Sequence, residues 1–431
     1  MIKQYLFAAL FTLTSLAHAE LTIEITQGIA SSIPISVVPL QLDASITQDM
    51  AEDISAIVRT DLERSGHFNS LNPDDMLSHP ASAEDMYFRD WRLLKQEYVM
   101  IGRVKQNAAN TYQVHYQLFD VFNERELLSQ TLTGTATQLR DVSHRMSDAI
   151  YEQLTGIRGA FSSKIAYVTT NPQRTKFNLS IADGDGARER VVLTSKYSIF
   201  SPSWSPDGKK LAYVLLEDGG SRVYIQDLAS GKKTLISKFK GLNSAPSFSP
   251  DGKRLALVLS KDGNPEIYVV DLETRHWLRV TNHYAIDTEP NWMPDGQHIV
   301  FTSGRAGNPQ IYRVSLETGY IERLTFEGTY NARARLAQDG RFLVLVHQAK
   351  KGDPFHIASL DLTRRLLQTL TSDTKLDESP SVSPNGVMVM YAAKYNKRSI
   401  LAAVSVDGDV KFLVPSKHGD VREPAWGPYL N

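Results

Sequence analysis

The sequence of 431 residues contains no cysteine. Disulfide bonds, thiolate catalysis and cysteine-ligated zinc are therefore excluded. The sequence also lacks a dominant charge, because 47 lysine and arginine residues stand against 48 aspartate and glutamate residues, a formal net charge of −1. Binding of nucleic acid requires a concentrated basic surface, so this balance argues against a nucleic-acid partner.

Long hydrophobic runs are missing too, and the one apolar stretch near the start is short. Lys3 precedes "YLFAALFTLTSL", and "AHA" follows it. A positive residue, a short apolar run and small residues at alternate positions are typical of a signal peptide, here residues 1–19, cleaved after Ala19. We expect an exported chain that associates with membranes only through its partners. An uncleaved N-terminal anchor is the alternative interpretation.

The sequence does contain a repeat with a period of about 44 residues. "SPSWSPDGKKLAYV" and "APSFSPDGKRLALV" match almost residue for residue, and their Pro-Asp-Gly recurs along the chain. The fourth copy has Gln338 in place of this proline. Four residues upstream of this proline, a second position recurs in six copies. Its residues are Pro202, Pro246, Pro290, Ala334, Pro380 and Pro424. Self-similarity at such a period indicates a repeat architecture.

Each copy predicts four short β-strands. The run after the turn, such as "KKLAYVLL", is apolar on both faces, as expected of a sheet that is covered on both sides. Four-stranded sheets stacked around an axis form a β-propeller. The last copy, "EPAWGPYL", lacks three strands, which "SKIAYVTT", "FNLSIADGDG" and "RERVVLTS" upstream supply. We therefore expect an all-β six-bladed propeller over 159–431, closed by the C-terminal strand.

The aspartates of the repeated Pro-Asp-Gly are Asp207, Asp251, Asp295 and Asp339. Proline presets a turn dihedral, aspartate accepts hydrogen bonds from the nearby backbone, and glycine adopts a left-handed conformation. We expect these aspartates to stabilise turns. As metal ligands or catalytic groups they would have to converge, whereas a ring distributes them around its rim.

Residues 20–158 carry no copy of the repeat and predict a small α/β domain. "IPISVVPL" predicts one strand, and alternating segments at about 98–104 and 112–121 predict two more. Two helices are predicted: one from a capping box at Ser45 and Gln48 to a stop at Gly66, and one from about 137 to 154. The glycines of "TGIRGAF" indicate a linker to the propeller.

The stretch "ELTIEITQGIAS" follows directly on the expected cleavage site. Leu21, Ile23 and Ile25 alternate with polar residues, a pattern that predicts a half-buried strand at a free terminus. This strand is either an edge strand of its own domain or a strand offered to another protein by β-augmentation.

Propellers also occur in enzymes, so an enzyme of this fold should carry a catalytic motif. The sequence has no G-x-S-x-G, H-E-x-x-H or P-loop motif. "ADGDGARE" lacks the spacing and the closing glutamate of an EF-hand. Six histidines of the propeller segment fall at different phases of the repeat: His276, His283, His298, His347, His356 and His418. We expect no enzymatic activity, no cofactor and no metal. A propeller that binds a small molecule or glycan in its channel is the alternative.

These features resemble the TolB family, the periplasmic propeller component of the Tol-Pal cell-envelope system. The resemblance spans the chain and rests on "ELTIEITQG", "PISVVPL", "LTGIRGAFSSKIAYV", "LDESPSVSPNG" and the terminal "PAWGPYL". It implies a non-catalytic adaptor in the periplasm that supports outer-membrane invagination during cell division and envelope integrity. Its implied partners are the lipoprotein Pal, the inner-membrane protein TolA and colicin-like toxins that compete with Pal.

The resemblance also implies two binding regions. TolA would bind the mature N-terminus, and Pal would bind one mouth of the propeller channel. The TolA strand comprises Glu20, Leu21, Ile23 and Ile25. The Pal-binding residues, which lie in or near the loop before each Pro-x-Trp strand, are Leu242, Ala245, Thr288, Glu289, Arg333, Arg335 and Glu378. Many relatives carry histidine where Leu242 stands. Because "NARARLAQDG" brings Arg333 and Arg335 toward the mouth, we expect a more basic rim and altered partner specificity.

Overall fold

The computed structural model describes residues 32–44, 46, 53–108, 110–395, 398–414 and 419–430. The expected signal peptide and the expected TolA strand lie outside these residues. Within the described part of the chain, no helix is both long and apolar enough to cross a membrane.

The N-terminal domain is a mixed sheet with helices. In chain order its elements are Ile33–Val37 (β1), Gln41–Leu42 (β2), Ile54–Arg64 (α1), Phe68–Ser70 (β3), Phe88–Leu93 (α2), Tyr98–Ala108 (β4), Thr111–Asp120 (β5), Arg125–Thr135 (β6) and Leu139–Thr155 (α3). The described part of the domain also contains the short 3-10 helices Pro73–Asp75, Ala83–Asp85 and Ala136–Gln138. The sheet order is β3-β1-β4-β5-β6, with β2 beside β4. Strand β1 runs parallel to both of its neighbours, whereas β4, β5 and β6 are antiparallel.

Both predicted helices are present, but the first begins later than expected. Helix α1 starts at Ile54, and the Asp53 carboxylate caps it by accepting a hydrogen bond from the backbone N–H three residues on (3.1 Å). The residues of the expected capping box, Ser45 and Gln48, lie outside the described residues. Asp53 supplies the same capping chemistry directly before the first buried apolar residue of the helix. The helix stops as predicted, at Gly66 with φ of +75°.

Helix α3 buries the apolar face that its sequence pattern predicts. Leu139, Val142, Met146 and Ile150 are buried in one core with residues of α1 and the sheet, and Leu154 is partly buried against it. Gly156 caps the C-terminus of the helix, and its left-handed φ of +72° terminates the helical hydrogen bonding.

Six four-stranded sheets form the propeller. Their strands are Lys164–Thr170 (β7), Phe177–Asp183 (β8), Arg190–Ser195 (β9), Ile199–Trp204 (β10), Lys210–Glu217 (β11), Gly220–Asp227 (β12), Lys233–Ser237 (β13), Asn243–Phe248 (β14), Arg254–Leu259 (β15), Glu266–Asp271 (β16), Trp277–Arg279 (β17), Asp287–Trp292 (β18), His298–Ser303 (β19), Gln310–Ser315 (β20), Ile321–Arg323 (β21), Tyr330–Leu336 (β22), Phe342–Gln348 (β23), His356–Asp361 (β24), Leu366–Thr369 (β25), Asp377–Val382 (β26), Met388–Tyr395 (β27), Arg398–Ser405 (β28), Lys411–Val414 (β29) and Asp420–Trp426 (β30).

The blades follow the repeat. Blade 1 is β10–β13, blade 2 is β14–β17, blade 3 is β18–β21, blade 4 is β22–β25 and blade 5 is β26–β29. Blade 6 combines the C-terminal β30 with β7, β8 and β9, and Trp426 pairs opposite Ile165. The predicted closure of the ring by the C-terminal strand is confirmed.

Burial on both faces of each blade explains the continuous apolar runs. In β11, Leu211 and Tyr213 pack into a core shared with blade 6, whereas Ala212 and Val214 pack into a core shared with blade 2. Successive side chains of a strand point to opposite faces of its sheet. A blade has a neighbouring blade on each face, so its central strands are apolar on both faces.

The Pro-Asp-Gly segments are turns, as predicted. Each of the four aspartates accepts a hydrogen bond from the backbone N–H two residues on, at 2.9–3.1 Å. The following glycines have φ between +63° and +70°, the left-handed region that glycine adopts without strain.

The innermost strands all end at the same side of the ring, where these turns lie. The N-terminal domain contacts this side: the Asn385 side chain in the turn of blade 5 donates to the Arg158 carbonyl oxygen (3.2 Å). We call this side the domain face, and the opposite side, where the innermost strands begin, the free face.

Candidate functional site

A left-handed residue interrupts the innermost strand of every blade at one register position. These residues, which we call the bulge layer, are Ser201, Ala245, Glu289, Arg333, Ser379 and Glu423, with φ between +47° and +57°. In each blade the pairing with the second strand shifts register at this point. Such bulges re-aim side chains, and here they lie around the channel. Blade 4 keeps the bulge although Ala334 replaces the proline that follows it elsewhere.

Arg333 reaches across the channel within the bulge layer. Its Nε lies 2.8 Å from Glu289 Oε1 of blade 3, and its Nη1 lies 3.1 Å from Glu423 Oε1 of blade 6. Nη1 also donates to the Ser379 hydroxyl of blade 5. The second carboxylate oxygen of Glu423 accepts a hydrogen bond from the Ser201 N–H of blade 1 (3.2 Å). One guanidinium thus links blade 4 directly to three others and, through Glu423, to blade 1.

These ion pairs fix the protonation states. Burial disfavours the charged form of Glu423, but Arg333, the Ser201 N–H and Arg335 together outweigh burial and lower the pKa of the Glu423 carboxyl below its usual value. Conversely, Glu423 together with Glu289 raises the pKa of Arg333, although burial opposes the shift. The expectation of a more basic rim is therefore wrong for Arg333, because two carboxylates of its own chain neutralise it.

The other residues expected to bind Pal lie at two depths of the free-face mouth. Leu242, 38% exposed, belongs to the loop that leads into β14. Thr288 and Glu378 directly precede the bulge layer in their strands, while Ala245 and Glu289 belong to it. The structure brings these five residues around one opening.

Exposed apolar side chains line one arc of the same mouth, and the sequence patterns did not single them out. Tyr284 and Ile286, which are 86% and 55% exposed, lie in the loop before β18. Phe326, 66% exposed, lies in the loop before β22. With Leu242, three successive mouth loops each present apolar surface to solvent. Exposed apolar groups that cluster in this way are typical of a protein-binding surface.

Buried polar residues hold the mouth loops in place. They lie two residues before the bulge layer in four blades: Asn243, Asp287, Asn331 and Asp377, each with no exposed surface. The Asn243 side chain donates to the Phe239 carbonyl oxygen (2.7 Å), and the Asn331 side chain donates to the Glu327 carbonyl oxygen (2.7 Å). The signal for them was available in the sequence, because Asn or Asp recurs at this position in four of six copies.

The channel continues past the bulge layer into a chamber of about 490 Å³ that reaches the domain-face turns. Segments of all six innermost strands line it, among them Trp204, Trp292 and Trp426. Arg335 lines this chamber too. We expected both arginines of blade 4 at the mouth, but Arg335 lies deeper, because it follows the bulge by two residues.

A network of ion pairs joins the two domains at the domain face. Asp183 ends β8 and Asp185 lies in the turn that follows, and both belong to the segment that superficially resembles a calcium loop. Arg140 Nε of α3 lies 3.2 Å from Asp183 Oδ2, and Arg64 Nη2 of α1 lies 3.5 Å from Asp185 Oδ2. Burial disfavours ionisation of Asp185, but Arg64 and other partners outweigh it and lower its pKa to about 2.

His144 of α3 lies at the centre of this network. Its Nδ1 lies 2.7 Å from Asp61 Oδ2, and its Nε2 lies 3.9 Å from Asp183 Oδ2. Ligand atoms of His144, Asp183 and Asp185 are within 4.8 Å of one another. Because the two aspartates already accept bonds from arginine and lysine side chains, the group is an ion-pair network rather than a metal centre. Burial alone would lower the pKa of His144, but Asp61 and Asp185 together outweigh burial and raise it.

Comparison with known proteins agrees with this architecture in both domains. The family model of the TolB amino-terminal domain matches residues 21–127, and that of the TolB beta propeller domain matches residues 151–430. The Tol-Pal system protein TolB of Xanthomonas campestris pv. campestris (strain B100) is 51% identical over 429 residues, which cover 98% of this chain and 97% of that protein. The corresponding protein of Xanthomonas oryzae pv. oryzae (strain PXO99A) is 51% identical over 425 residues, 97% of this chain and 96% of that protein.

A solved structure extends the agreement to three dimensions. The crystal structure of TolB from Acinetobacter baumannii superposes with a TM-score of 0.87 at 44% sequence identity, covering 95% of this chain and all of that one. Full-length sequence identity, both family models and the shared arrangement of domains lead to one conclusion: the chain belongs to the TolB family of Tol-Pal system proteins.

Proposed function

We propose that the chain is a non-catalytic periplasmic adaptor of the Tol-Pal system. It binds the lipoprotein Pal at the free-face mouth and TolA through its mature N-terminus. In this role it supports outer-membrane invagination during division and the integrity of the envelope. The observation that carries the proposal is the free-face mouth itself, where three successive exposed apolar loops flank a strained and internally ion-paired layer.

The mouth suits a protein partner in both shape and chemistry. Three loops offer apolar contact area, and the polar residues behind them hold the loops in one conformation, which lowers the entropy that binding must overcome. Pal would contact Leu242, Thr288 and Glu378 first and then Ala245, Glu289 and Arg333 in the bulge layer. Arg335 is within reach only of a segment that passes this layer. Colicin-like toxins would compete for the same surface.

The domain organisation follows from the same proposal. We place the signal peptide at 1–19 and the N-terminal domain, including the TolA strand, at 20–158. The propeller then covers 159–431. Helix α3 ends at Thr155 and β7 begins at Lys164, so a boundary near 158 divides no element.

A calorimetric titration tests both halves of the proposal. The chain from Glu20 onward is titrated with the soluble domain of the Pal from the same organism and, separately, with soluble TolA. A second chain begins at Ser32. We expect both chains to bind Pal with different affinities, and only the longer chain to bind TolA. Absence of Pal binding by either chain would contradict the Pal half, and TolA binding by the shorter chain would contradict the TolA half.

A further inference from the structure

The chamber on the domain-face side of the bulge layer has one exceptional wall position. The second residue after the bulge lines the chamber in every blade: Ser203, Ser247, Asn291, Arg335, Ser381 and Ala425. These residues occupy equivalent ladder positions, each paired with the second strand of its own blade. Five of the six side chains are short, which leaves space around the sixth, a guanidinium.

The guanidinium of Arg335 has N–H donors that no hydrogen bond to the described residues uses. It donates from Nη1 to the adjacent Ala334 carbonyl oxygen (2.9 Å), and no carboxylate of the described residues lies within ion-pair distance of it. A guanidinium carries five N–H donors in a planar fork. Burial lowers the pKa of Arg335, as expected for a half-buried cation that lacks a close counter-ion. Arg333, two residues away, differs in having both Glu289 and Glu423.

Among the described residues, the rest of the chamber wall is uncharged. Apart from Arg335, its lining residues are serines, prolines, tryptophans and other neutral side chains. The indole N–H groups of the three tryptophans are occupied: Trp204 donates to the Ala425 carbonyl oxygen, Trp292 to the Ser247 carbonyl oxygen and Trp426 to the Ser163 hydroxyl, at 2.8–3.0 Å. Their ring carbons therefore provide apolar surface in a wall whose charged lining residue is Arg335, while Arg254, outside the lining, lies 4.6 Å from the centre of the Trp292 ring.

We propose that this chamber binds a small organic carboxylate, with Arg335 as the residue that anchors it. A planar carboxylate accepts two parallel N–H bonds from one guanidinium, and its single negative charge matches the single positive charge of the wall. A phosphate would bring a second charge that no other lining residue neutralises. The volume, about 490 Å³, lies within the range of small-molecule sites. Indole and proline surfaces suit an apolar body on the ligand.

This proposal goes beyond partner binding at the mouth and does not depend on it. The test uses benzoate as the probe and benzamide as its neutral isostere, with ligand-observed NMR on the chain from Glu20 onward. In Arg335→Ser the chamber receives the residue that blades 1, 2 and 5 carry at this position. Arg341→Ser removes an arginine that lies outside the chamber and serves as the matched control.

We expect benzoate to bind with a dissociation constant on the order of 1 mM, and benzamide at least about tenfold more weakly. Arg335→Ser weakens benzoate binding at least about tenfold, and Arg341→Ser leaves it unchanged. A second variant, Ser203→Phe, keeps Arg335 and fills the chamber, so it also weakens binding. Undetectable benzoate binding, equal binding of benzoate and benzamide, or unchanged binding by the Arg335→Ser and Ser203→Phe proteins would each overturn the proposal.

Discussion

The guanidinium of Arg333 lies 3.1 Å from the carboxylate of Glu423, although the two residues are 90 positions apart and belong to blades that are not neighbours. Glu423 is part of β30, the C-terminal strand that completes blade 6. The ion pair therefore connects the blade that closes the ring to blade 4, which is two blades away along the ring. It stabilises the ring at the point where both ends of the propeller segment meet.

Removal of Arg333 is predicted to destabilise the propeller. Arg333→Ala leaves Glu289 and Glu423 without their cation. Loss of one partner of a buried ion pair costs roughly 3–5 kcal/mol, and these side chains are partly exposed, so we expect a loss of about 2 kcal/mol in the free energy of unfolding. Urea denaturation followed by fluorescence measures it.

The matched control is Arg341→Ala, which removes an arginine that is 50% exposed and pairs with Asp361 at 3.5 Å. Exposed ion pairs contribute little, so its loss should stay within about 0.5 kcal/mol. If the two variants lost equal stability, the ion pairs of Arg333 in the bulge layer would contribute no more than an exposed ion pair, which would contradict the prediction.

The folded protein is predicted to lose stability as pH rises from about 6.5, because His144 loses its proton. The pKa of His144 is raised in the folded protein, so its contribution is complete below about 6.5, the unfolded pKa, and is lost as pH rises through the folded pKa. Urea denaturation between pH 6 and pH 9 should show this decline, and His144→Gln should remove it. A decline of the same size in the variant would assign the effect to another group.

At acid pH, the dependence of folding stability on pH has the opposite sign. The pKa of Asp185 is lowered to about 2, so its contribution is complete above about 3.9, the unfolded pKa, and is lost as pH falls toward 2. We predict that Asp185→Asn lowers stability at pH 6 and makes it less dependent on pH between about 4 and 2. Acid titration followed by circular dichroism measures the difference. An acid transition identical to that of the unchanged chain would contradict the prediction.

The repeated turns are predicted to act in stability rather than in binding. Gly252 has φ of +69°, and an added Cβ would have ordinary contact with Pro206 (3.6 Å). The cost of Gly252→Ala therefore comes from the backbone conformation and should be about 1 kcal/mol. Gly252→Asn should cost less, because asparagine tolerates this region. Thermal unfolding ranks the two variants, and a titration with Pal should give unchanged affinity for both.

Much of the fold follows from the repeat. The two proline registers predict the innermost strands and turns, and the incomplete last copy predicts the closure by β30. Blade 4 lacks both prolines, yet its innermost strand has the same bulge at Arg333. The neighbouring blades therefore impose the same backbone path on this strand. The start of α1 at Ile54 was missed because Ser45 and Asp53 are both good caps, and sequence alone does not rank them.

The site was harder to predict than the fold. The position of the bulge decides which arginine of "NARARLAQDG" forms ion pairs with carboxylates. Arg333 belongs to the bulge and forms them, whereas Arg335 follows the bulge. The contact between Arg333 and Glu423 depends on ring closure, and no local pattern reports it. The interface network around His144 likewise joins helices of one domain to a turn of the other, so it exists only once both domains have docked.

The most direct test of the proposed adaptor role is the affinity of Pal for a variant of the mouth. Leu242→Glu places a charge among the exposed apolar loops of the free face, where Leu242 is 38% exposed. Leu366→Glu makes the same change on the outermost strand of blade 4, at a leucine that is 58% exposed. In calorimetric titrations with the soluble domain of Pal, we predict at least about tenfold weaker binding for Leu242→Glu and unchanged binding for Leu366→Glu. Equal affinity of the two variants would contradict binding at the free-face mouth.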